Sequence, residues 1–392
     1  MGAFTFGRNW KSFLRNYRPE RQKIAQDALL SFLKLDNLKG KTFLDIGSGS
    51  GIHSAAAWLA GAARVYSFDY DPDSVEATRQ LHCYHGSPSN WTIGQGSALD
   101  AGYLRSLGAF DVVYSWGVLH HTGDQWQALR NVVLNMHAQS LLYIALYATE
   151  AYPDWQYWLD VKQRYNRSGA IKRFLMEMNL LWNTHLNKKL HKIFHLPSMI
   201  QKYKFERGMD LMTDIRDWLG GWPTEFSSVP QVGRFINSLG LSVVAVSTGE
   251  SISEFLCVQK DQVQNLGYEP INYAGYPYNL PLLETTSLPP GPVWIFGAGR
   301  GGDLIFKYLS RHNVPVAGFV DVETKTDVLR RLPLLKVDEF VQRQPTGTPL
   351  VLANRYFKEN SLRLMKAGFT NMFNAHPLVI MLHRHGPFQD SI

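Results

Sequence analysis

A glycine-rich turn is the first segment of this sequence whose residue types and spacing indicate ligand chemistry. The run FLDIGSGSGIHSAAA places Asp45 at the end of an apolar stretch, followed by Gly47, Ser48, Gly49 and Gly51 before a helical pattern begins. Glycines let a backbone approach a ligand closely, and the amides of a helix N-terminus favour negative charge. A tight strand-to-helix turn without a ligand would use the same residues.

Three further segments follow in an order that strengthens the ligand interpretation. About 20 residues after the turn, RVYSFDYDPDSV sets Asp69 at the end of a second strand, where a carboxylate can accept hydrogen bonds from ribose hydroxyls. GQGSALD and then FDVVYSWGVLHHTG follow as the third and fourth segments. The remaining candidate residues in these segments are Tyr70, Ser97, Ala98, Ser115 and Trp116.

Two histidines come directly after the fourth predicted strand. His120 and His121 would lie at the carboxyl edge of a parallel sheet, where such sheets bind ligands. Histidine titrates near neutrality and suits the role of a general base. We favour His121 over His120 for this role, although a pair in which one ring packs and the other is merely exposed remains an equal alternative.

Other candidates lie further along the chain and at its start. Asp214 and Asp217 would share a helix face next to Trp218, and Asp217 is a candidate auxiliary base; helix capping and pairing with Arg207 and Arg216 is the alternative. Candidate substrate-binding residues are Arg8, Trp10, Tyr147, Asp214 and Trp218. The histidines and acids lack a metal-ligand spacing such as His-Glu-x-x-His, so no metal is predicted.

The elements that must position these residues alternate between short apolar strands and helices. This alternation predicts a parallel α/β sheet covered on both faces. Residues 151–207 interrupt it with helical patterns only, and a stretch rich in Pro, Gly, Tyr and Asn follows later. The predicted organisation is a helical segment (1–40), a first domain (41–150 and 208–260), a basic helical insertion (151–207), a linker (261–290) and a second domain (291–392).

The four ordered segments resemble a class I S-adenosylmethionine-dependent methyltransferase over the first 260 residues. FTFGRNW, SWGVLHHTGD and RGMDLMTDIRDWLGGWPTEF are also similar to a bacterial, largely uncharacterised subgroup. The resemblance implies a seven-stranded doubly wound sheet and S-adenosylmethionine as cofactor. It also implies that Asp45 and the glycines face the methionine part, Asp69 the ribose, Ser97 and Ala98 the adenine, and Ser115 with Trp116 the sulfonium. Family members often have Asp where this chain has Ser97.

A second glycine loop begins the C-terminal domain. VWIFGAGRGGD matches Gly-x-Gly-x-x-Gly at Gly297, Gly299 and Gly302, and Asp321 ends the next strand, as a nucleotide-binding fingerprint requires. The segment resembles the small Rossmann-like modules of sugar-modifying transferases, which implies binding of a nucleotide or nucleotide-linked sugar. A purely structural module, or one that pairs two copies of the chain as a homodimer, is the alternative.

Composition limits the setting in which these sites work. The chain has 392 residues, a formal net charge of +7 and two cysteines, which excludes a disulfide framework and favours a reduced, cytoplasmic compartment. No apolar run is long enough to span a membrane and no export signal is visible. Between Lys162 and Arg207, eleven basic residues stand against two acidic ones, a local balance of +9.

Together these features predict an S-adenosylmethionine-dependent methyltransferase that acts on a small molecule or glycan precursor, at oxygen, with a histidine base. The fourth segment lacks the Asn/Asp-Pro-Pro-aromatic run of adenine N6 enzymes, and neither Cys83 nor Cys257 is placed to attack a pyrimidine. The alternatives are a tRNA or rRNA methyltransferase that uses the basic insertion and a non-catalytic nucleotide-sensing protein.

Overall fold

The architecture is taken from a computed structural model of the full chain. It describes residues 7, 10, 17–152, 154–186, 194–207, 210–248, 252–271, 280, 283, 291–324, 326–354 and 356–385. Arg8 therefore lies outside the described residues, together with most of the predicted linker.

The first domain is a seven-stranded sheet with the strand order β3-β2-β1-β4-β5-β7-β6. Its strands are β1 (Thr42–Ile46), β2 (Arg64–Asp69), β3 (Trp91–Gln95), β4 (Phe110–Trp116), β5 (Met136–Tyr147), β6 (Leu241–Thr248) and β7 (Ile252–Gln259). Neighbours from β3 to β5 pair in parallel, whereas β7 pairs antiparallel with both β5 and β6. The first two parallel crossovers run through helices, and the carboxyl ends of β1, β2 and β4 meet at one edge.

Helices cover both faces of this sheet. They are α1 (Pro19–Leu33), α2 (Ile52–Leu59), α3 (Pro72–Tyr84), α4 (Ala101–Leu107), α5 (Gln125–Val132) and, after the inserted helices, α10 (Val229–Ser238). Alternate strand residues enter two apolar cores: Val113 points to one and Tyr114 to the other. This architecture confirms the predicted doubly wound α/β fold, with an antiparallel pair at one edge.

The described part of the predicted insertion, residues 151–207, forms three helices, and a fourth follows it in the segment assigned to the first domain. All four pack on one another and on the end of β5, and we call them the inserted helices. They are α6 (Trp155–Arg167), α7 (Ala170–Thr184), α8 (Leu196–Arg207) and α9 (Leu211–Gly220). An aromatic-rich core that includes Trp158, Leu181 and Leu219 joins them. None of the helices within the described ranges combines the length and apolar character required to cross a bilayer.

A second sheet of six strands follows, with the order β10-β11-β9-β8-β12-β13. Its elements are β8 (Val293–Phe296), α11 (Arg300–Arg311), β9 (Val316–Asp321), β10 (Val328–Leu329), β11 (Leu332–Lys336), α12 (Val337–Arg343), β12 (Leu350–Leu352), α13 (Phe357–Lys366), β13 (Met372–Asn374) and α14 (His376–His385). The sheet is parallel except for the β10–β11 hairpin, which confirms a second, smaller Rossmann-like domain.

The domain limits themselves stay a prediction. The first part of the predicted linker packs against the first domain, because Val263 is buried there and the Tyr268 hydroxyl donates a hydrogen bond to the Leu33 carbonyl at 2.9 Å. The Ile271 amide also donates to the Val243 carbonyl at 2.8 Å, so contacts with the first domain continue to residue 271.

Candidate functional site

The glycine turn between β1 and α2 has backbone angles that favour glycine. Gly47, Gly49 and Gly51 have φ values of +79°, +56° and +80°, in the region that side chains with a Cβ rarely adopt. A Cβ at Gly47 would also overlap the Val118 side chain. The turn is fixed to the neighbouring strand because the Gly47 amide donates to the Phe68 carbonyl at 2.8 Å.

Asp69 closes this turn from the end of β2. Its Oδ2 accepts the Gly49 amide at 2.9 Å and its Oδ1 accepts the Asp71 amide at 2.9 Å. Burial raises the pKa of Asp69 to about 6, despite these hydrogen bonds. The carboxylate retains further lone pairs beyond the two that the amides occupy, so it can hold the turn and also accept a ligand hydroxyl.

Asp45 is buried at the end of β1 as part of a chain of hydrogen bonds. The Trp91 indole donates to Ser67 at 2.7 Å, Ser67 donates to Ser54 at 2.6 Å, and Ser54 donates to the Asp45 carboxylate. Burial raises the pKa of Asp45 to about 7. The structure thus anchors Asp45 inside the sheet, directly behind the glycine turn.

Two other cofactor candidates of the turn region point in different directions. The Ser48 hydroxyl lies 2.9 Å from the Thr78 hydroxyl, which itself donates to the Gly49 carbonyl, so Ser48 contacts helix α3. Tyr70 follows Asp69 with an exposed side chain. The Ser48 side chain therefore stabilises the loop, whereas the Tyr70 side chain could contact a ligand only from the solvent-exposed side of the turn.

The third and fourth segments are ordered by local hydrogen bonds. Ser97 Oγ accepts the Leu99 amide at 3.1 Å, and Ala98 is buried with its carbonyl held by Asn131 at 3.0 Å. Ser115 is buried and donates to the Ile46 carbonyl at 2.9 Å, which ties β4 to the end of β1. Trp116 is partly exposed and donates to Glu254 at 2.8 Å.

The N-terminal segment contributes two described residues next to the turn. A Cβ at Gly49 would lie 3.0 Å from the Trp10 indole, and the Gly7 amide donates to Asp71 at 2.8 Å. Trp10 is thereby placed beside the Gly49 and Asp69 pair. Its predicted substrate role stays a prediction, and its position also suits contact with a cofactor.

The adjacent histidines form the centre of a second cluster at the end of β4. His120 Nδ1 accepts the Tyr147 amide at 3.4 Å, whereas His121 Nδ1 lies 2.8 Å from the Pro223 carbonyl oxygen and 3.2 Å from Thr224 Oγ1. An amide can only donate and a carbonyl can only accept, so the two rings carry their protons on different nitrogens. His120 is protonated at Nε2, and His121 at Nδ1.

Both histidines are neutral, for the same physical reason. Burial lowers the pKa of His121 to about 3, and burial lowers the pKa of His120 well below its usual value; the nearby charge of Lys162 lowers both pKa values further. His120 Nε2 is buried without a hydrogen-bond partner among the described residues. A buried donor without a partner costs about 1–3 kcal/mol and calls for an explanation.

Helices α6 and α9 bring a buried cation to these histidines. Lys162 is fully buried, donates to the Trp218 carbonyl and lies 4.2 Å from the centroid of the Trp218 ring. Burial lowers the pKa of Lys162 to about 7, although the charge of Asp217 opposes this shift. The inserted helices therefore contribute charged groups to the end of the sheet.

Aromatic rings connect the histidines to the inserted helices. The Tyr147 ring lies 4.0 Å from that of His120 and 5.7 Å from that of Trp218, and Tyr152 stacks on Trp218 at 4.9 Å. Burial raises the pKa of Tyr147, and the charges of Asp214 and Asp217 add to this shift. The structure thus brings five predicted residues together, namely His120, His121, Tyr147, Asp217 and Trp218.

Asp214 points to another helix of the insertion. Its carboxylate accepts a hydrogen bond from the Tyr203 hydroxyl on α8. That contact ties α8 to α9, so Asp214 supports the inserted helices, whereas Asp217 faces Lys162. Within the described ranges, no group of three or more His, Cys, Asp or Glu side chains is arranged to hold a metal.

Sequence reasoning missed two polar residues of this region. Lys162 was counted only as part of a basic segment, yet it follows the helical spacing of the buried residues Trp158, Val161 and Tyr165, a signal that places it on the inner face. Glu254 was not considered; its Oε1 accepts both Trp116 and, at 2.6 Å, the Tyr143 hydroxyl. Only the pairing of β5 with β7 reveals that contact.

The second glycine loop has three glycines in three different environments. Gly297 has a φ of +118°, a Cβ at Gly299 would meet no atom within 4 Å, and a Cβ at Gly302 would overlap the Gly297 carbonyl. Asp321 Oδ2 accepts the Ala298 amide at 2.6 Å and its Oδ1 the Val322 amide at 2.7 Å. This arrangement repeats the one between Asp69 and the first glycine turn.

A comparison with known protein families gives a match that covers part of the first domain. Residues 37–196 match a family model described as a methyltransferase domain. Together with the strand order and the glycine turn, the match confirms the predicted class I methyltransferase domain. The matched range extends through the first two inserted helices, α6 and α7.

Individual relatives match over short segments. The chain is 50% identical over 50 residues to a ribosomal protein L11 methyltransferase of Tolumonas auensis, which is 13% of this chain and 17% of that protein. It is 39% identical over 71 residues to the same enzyme of Legionella pneumophila strain Lens, or 18% and 25%. The chain thus spans a quarter or less of the length of these relatives.

Solved structures match over a longer range at low identity. A magnesium protoporphyrin IX methyltransferase from Synechocystis PCC 6803 with bound S-adenosylhomocysteine is 14% identical, with 63% of this chain and 86% of that chain covered and a TM-score of 0.37. An O-methyltransferase family protein from Burkholderia thailandensis is 13% identical, with 61% and 57% covered and a TM-score of 0.38. At these TM-scores the matches do not bear on the acceptor.

Proposed function

We propose that this chain is an S-adenosylmethionine-dependent methyltransferase that methylates an oxygen of a small molecule or glycan precursor. When bound, the cofactor supplies a methyl group on a positively charged sulfur. The Gly47 to Gly51 turn fits such a ligand because its backbone is open to close approach, and Asp69 is positioned to accept ribose hydroxyls. Trp10 of the N-terminal segment lies beside Gly49 and would border the same cofactor site.

The tautomer of His121 is the observation that supports oxygen as the atom that accepts the methyl group. Because Nδ1 donates to the Pro223 carbonyl, the Nε2 atom of the neutral ring carries a lone pair. That lone pair can accept the proton of a hydroxyl. Burial makes His121 a weaker base than the near-neutral histidine expected from the sequence. An oxygen that has begun to bond to carbon is a much stronger acid than a free hydroxyl, so its proton can still pass to this nitrogen.

His120 has the complementary role in this proposal. Its Nε2 carries a hydrogen, and no partner for it exists among the described residues. We assign this N–H to an oxygen of the acceptor next to the reacting hydroxyl, such as a second hydroxyl or a carbonyl. One histidine would then accept from the acceptor molecule and the other would donate to it, which fixes the orientation that a direct displacement requires.

The inserted helices supply the remaining wall of the proposed acceptor site. Trp218 on α9 and Tyr147 at the end of β5 offer ring faces, and Lys162 lies beside the Trp218 ring, where the charge of Asp217 acts on it. Ring faces suit a flat aromatic or a sugar acceptor. Asp217 is assigned to balancing the Lys162 charge, which makes it a positioning residue.

The proposal is tested with the purified full-length chain, methyl-labelled S-adenosylmethionine and a bacterial extract fractionated into small molecules, glycans, protein and RNA. Label in the small-molecule or glycan fraction, lost with His121→Ala, supports the proposal. Label that nuclease removes would support the RNA alternative instead. Mass-spectrometric fragmentation of the labelled product then locates the methyl group on oxygen, nitrogen or carbon.

For the second domain we propose a nucleotide or nucleotide-linked sugar at the loop of Gly297 to Gly302. The supporting observation is that a Cβ at Gly299 would enter open space, whereas one at Gly302 would overlap the loop. A phosphate would approach the backbone in the open space at Gly299. The ribose would contact Asp321. Dimer formation and the cytoplasmic location stay predictions.

A further inference from the structure

A stripe of exposed apolar residues begins helix α7, away from the proposed active site. Ile171, Phe174 and Leu175 are 81%, 55% and 60% exposed, and their i, i+3, i+4 spacing places them on one face of the helix. We call these three residues the α7 stripe. The inner face of the same helix is buried through Leu181 and Glu177.

Helix α7 is held to its neighbours by contacts of Glu177 that do not involve the α7 stripe. Glu177 receives hydrogen bonds from the Tyr165 hydroxyl at 2.7 Å and from Arg216 at 3.0 Å, which fastens the inner face to α6 and α9. Large apolar side chains that stay exposed in a contiguous group mark interaction surfaces more often than chance. Helix α7 also contacts helix α14 of the second domain, yet the three stripe residues remain largely exposed.

Positive charge surrounds the α7 stripe. Arg164, Arg167 and Lys172 are exposed on the end of α6 and the start of α7, and the acidic residue Asp160 is paired with Arg164 at 2.6 Å. Of the basic residues in this segment, Lys162 is buried and does not contribute to the surface, whereas Arg164, Arg167 and Lys172 do. The partner is accordingly an anionic surface that also accepts apolar side chains.

We propose that the α7 stripe docks on the surface of a bilayer that contains anionic lipids. A helix that presents a narrow apolar face between basic residues lies in the plane of the interface, with its apolar side chains below the headgroups. Lys and Arg residues beside this apolar face add electrostatic attraction to an anionic leaflet. The helix docks on the surface and does not cross it, in keeping with its length of 15 residues.

Two other partners fit the stripe less well. A second copy of this chain would bring two basic segments together, and their repulsion opposes such a contact. An RNA would pair with the basic residues but leaves two branched aliphatic side chains, Ile171 and Leu175, without a partner, because single strands bind through stacking on aromatic rings. An anionic bilayer satisfies both the charge and the apolar surface.

The test is co-sedimentation of the full-length chain with vesicles of phosphatidylcholine alone or of an equal mixture with phosphatidylglycerol. We expect binding to the anionic vesicles only, weakened at high salt because the charge contribution is screened. The variant Phe174→Gln with Leu175→Gln should bind about tenfold or more weakly, since both side chains lose apolar burial. Both substitutions keep the net charge and a good helix propensity.

A matched control tests whether vesicle binding depends on the α7 stripe or on exposed apolar side chains in general. Ile24 on α1 is 68% exposed, so Ile24→Gln removes an equally exposed apolar side chain elsewhere and should bind vesicles as the unchanged chain does. Equal sedimentation of the double variant and the unchanged chain would overturn the proposal, as would absence of binding to anionic vesicles. A dimer seen by light scattering and dissociated by Phe174→Gln would assign the stripe to a second copy instead.

Discussion

His120 and His121 are neighbours in the chain, yet their rings hold hydrogen on opposite nitrogens. The Tyr147 amide donates to Nδ1 of His120 at 3.4 Å, whereas Nδ1 of His121 faces the Pro223 carbonyl at 2.8 Å. The ring centroids lie 4.4 Å apart. Because Nδ1 of each ring is engaged, the pair presents a donor at Nε2 of His120 and a lone pair at Nε2 of His121.

The first prediction concerns these protonation states. In a sample labelled with 15N at histidine, ring NMR spectra at pH 7 should assign His120 to the Nε2–H form and His121 to the Nδ1–H form. Burial keeps both rings neutral, so neither should gain a proton between pH 7 and pH 5. The spectra of His120→Gln and His121→Gln provide the assignments. The same tautomer in both rings would remove the basis for dividing their roles.

The second prediction concerns turnover. His121→Ala should lower the rate of methyl transfer about 10²–10⁴-fold, because it removes the proton acceptor, without changing affinity for S-adenosylhomocysteine. His137→Ala is the matched control, since His137 pairs with Asp111 at 3.3 Å near the start of β1 and not at the ligand edge. The rates are measured with methyl-labelled S-adenosylmethionine and the extract fraction that contains the acceptor. An unchanged rate in His121→Ala would exclude it as the base.

The third prediction concerns the cofactor. Asp69→Ala should weaken S-adenosylhomocysteine binding about tenfold or more, because it removes the charged acceptor for ribose and releases the Gly49 amide. Calorimetric titration measures the affinity, and circular dichroism checks that the variant is folded. Asp27→Ala, which removes an exposed carboxylate paired with Lys23, should leave the affinity unchanged. Full affinity in Asp69→Ala would contradict the ribose assignment.

The fourth prediction concerns Lys162 and pH. Its pKa is lowered to about 7 in the folded chain from 10.5, so the unfolded chain binds more protons between these values. The free energy of unfolding should therefore rise from pH 7 towards pH 10 because of this residue, by about 1.4 kcal/mol per pH unit at most. Lys162→Met lacks this contribution.

Comparison of the two chains isolates the effect of Lys162. The stability advantage of Lys162→Met over the unchanged chain should be largest at pH 7 and should shrink by pH 9, measured by urea unfolding at each pH. Most other groups titrate alike in both chains; Asp217, His120 and His121 are the neighbours that interact with Lys162. An advantage that does not change with pH would show that the pKa of Lys162 is not lowered in the folded chain.

The fifth prediction uses two glycines of one loop. Gly302→Ala should destabilise the second domain by about 1–3 kcal/mol, because the added Cβ overlaps the Gly297 carbonyl. Gly299→Ala should leave the stability nearly unchanged, because the Cβ enters open space. Thermal unfolding of both variants measures this difference. If the open space holds a phosphate, Gly299→Val should also weaken binding of uridine diphosphate; unchanged affinity for that probe would argue against a phosphate site at Gly299.

Local sequence determined the parts of this protein that depend on near neighbours in the chain. The glycine turn, the carboxylates at the ends of β1 and β2, and the alternation of strands with helices all follow from turn chemistry and from the apolar period. These features were sufficient to predict the sheet, the domain type and the glycine turn, whose role in binding the cofactor stays a prediction. The same reasoning placed His120 and His121 at the ligand edge.

Tertiary structure decided what depends on partners distant in sequence. The carbonyl that fixes the proton of His121 lies 102 residues away, at Pro223, and the amide that sets His120 comes from Tyr147. Likewise, Lys162 and Lys172 belong to one basic segment, but packing of α6 against α9 buries the first and leaves the second in solvent. A proton or a charge takes its role from the groups that surround it, and those groups meet only when the chain folds.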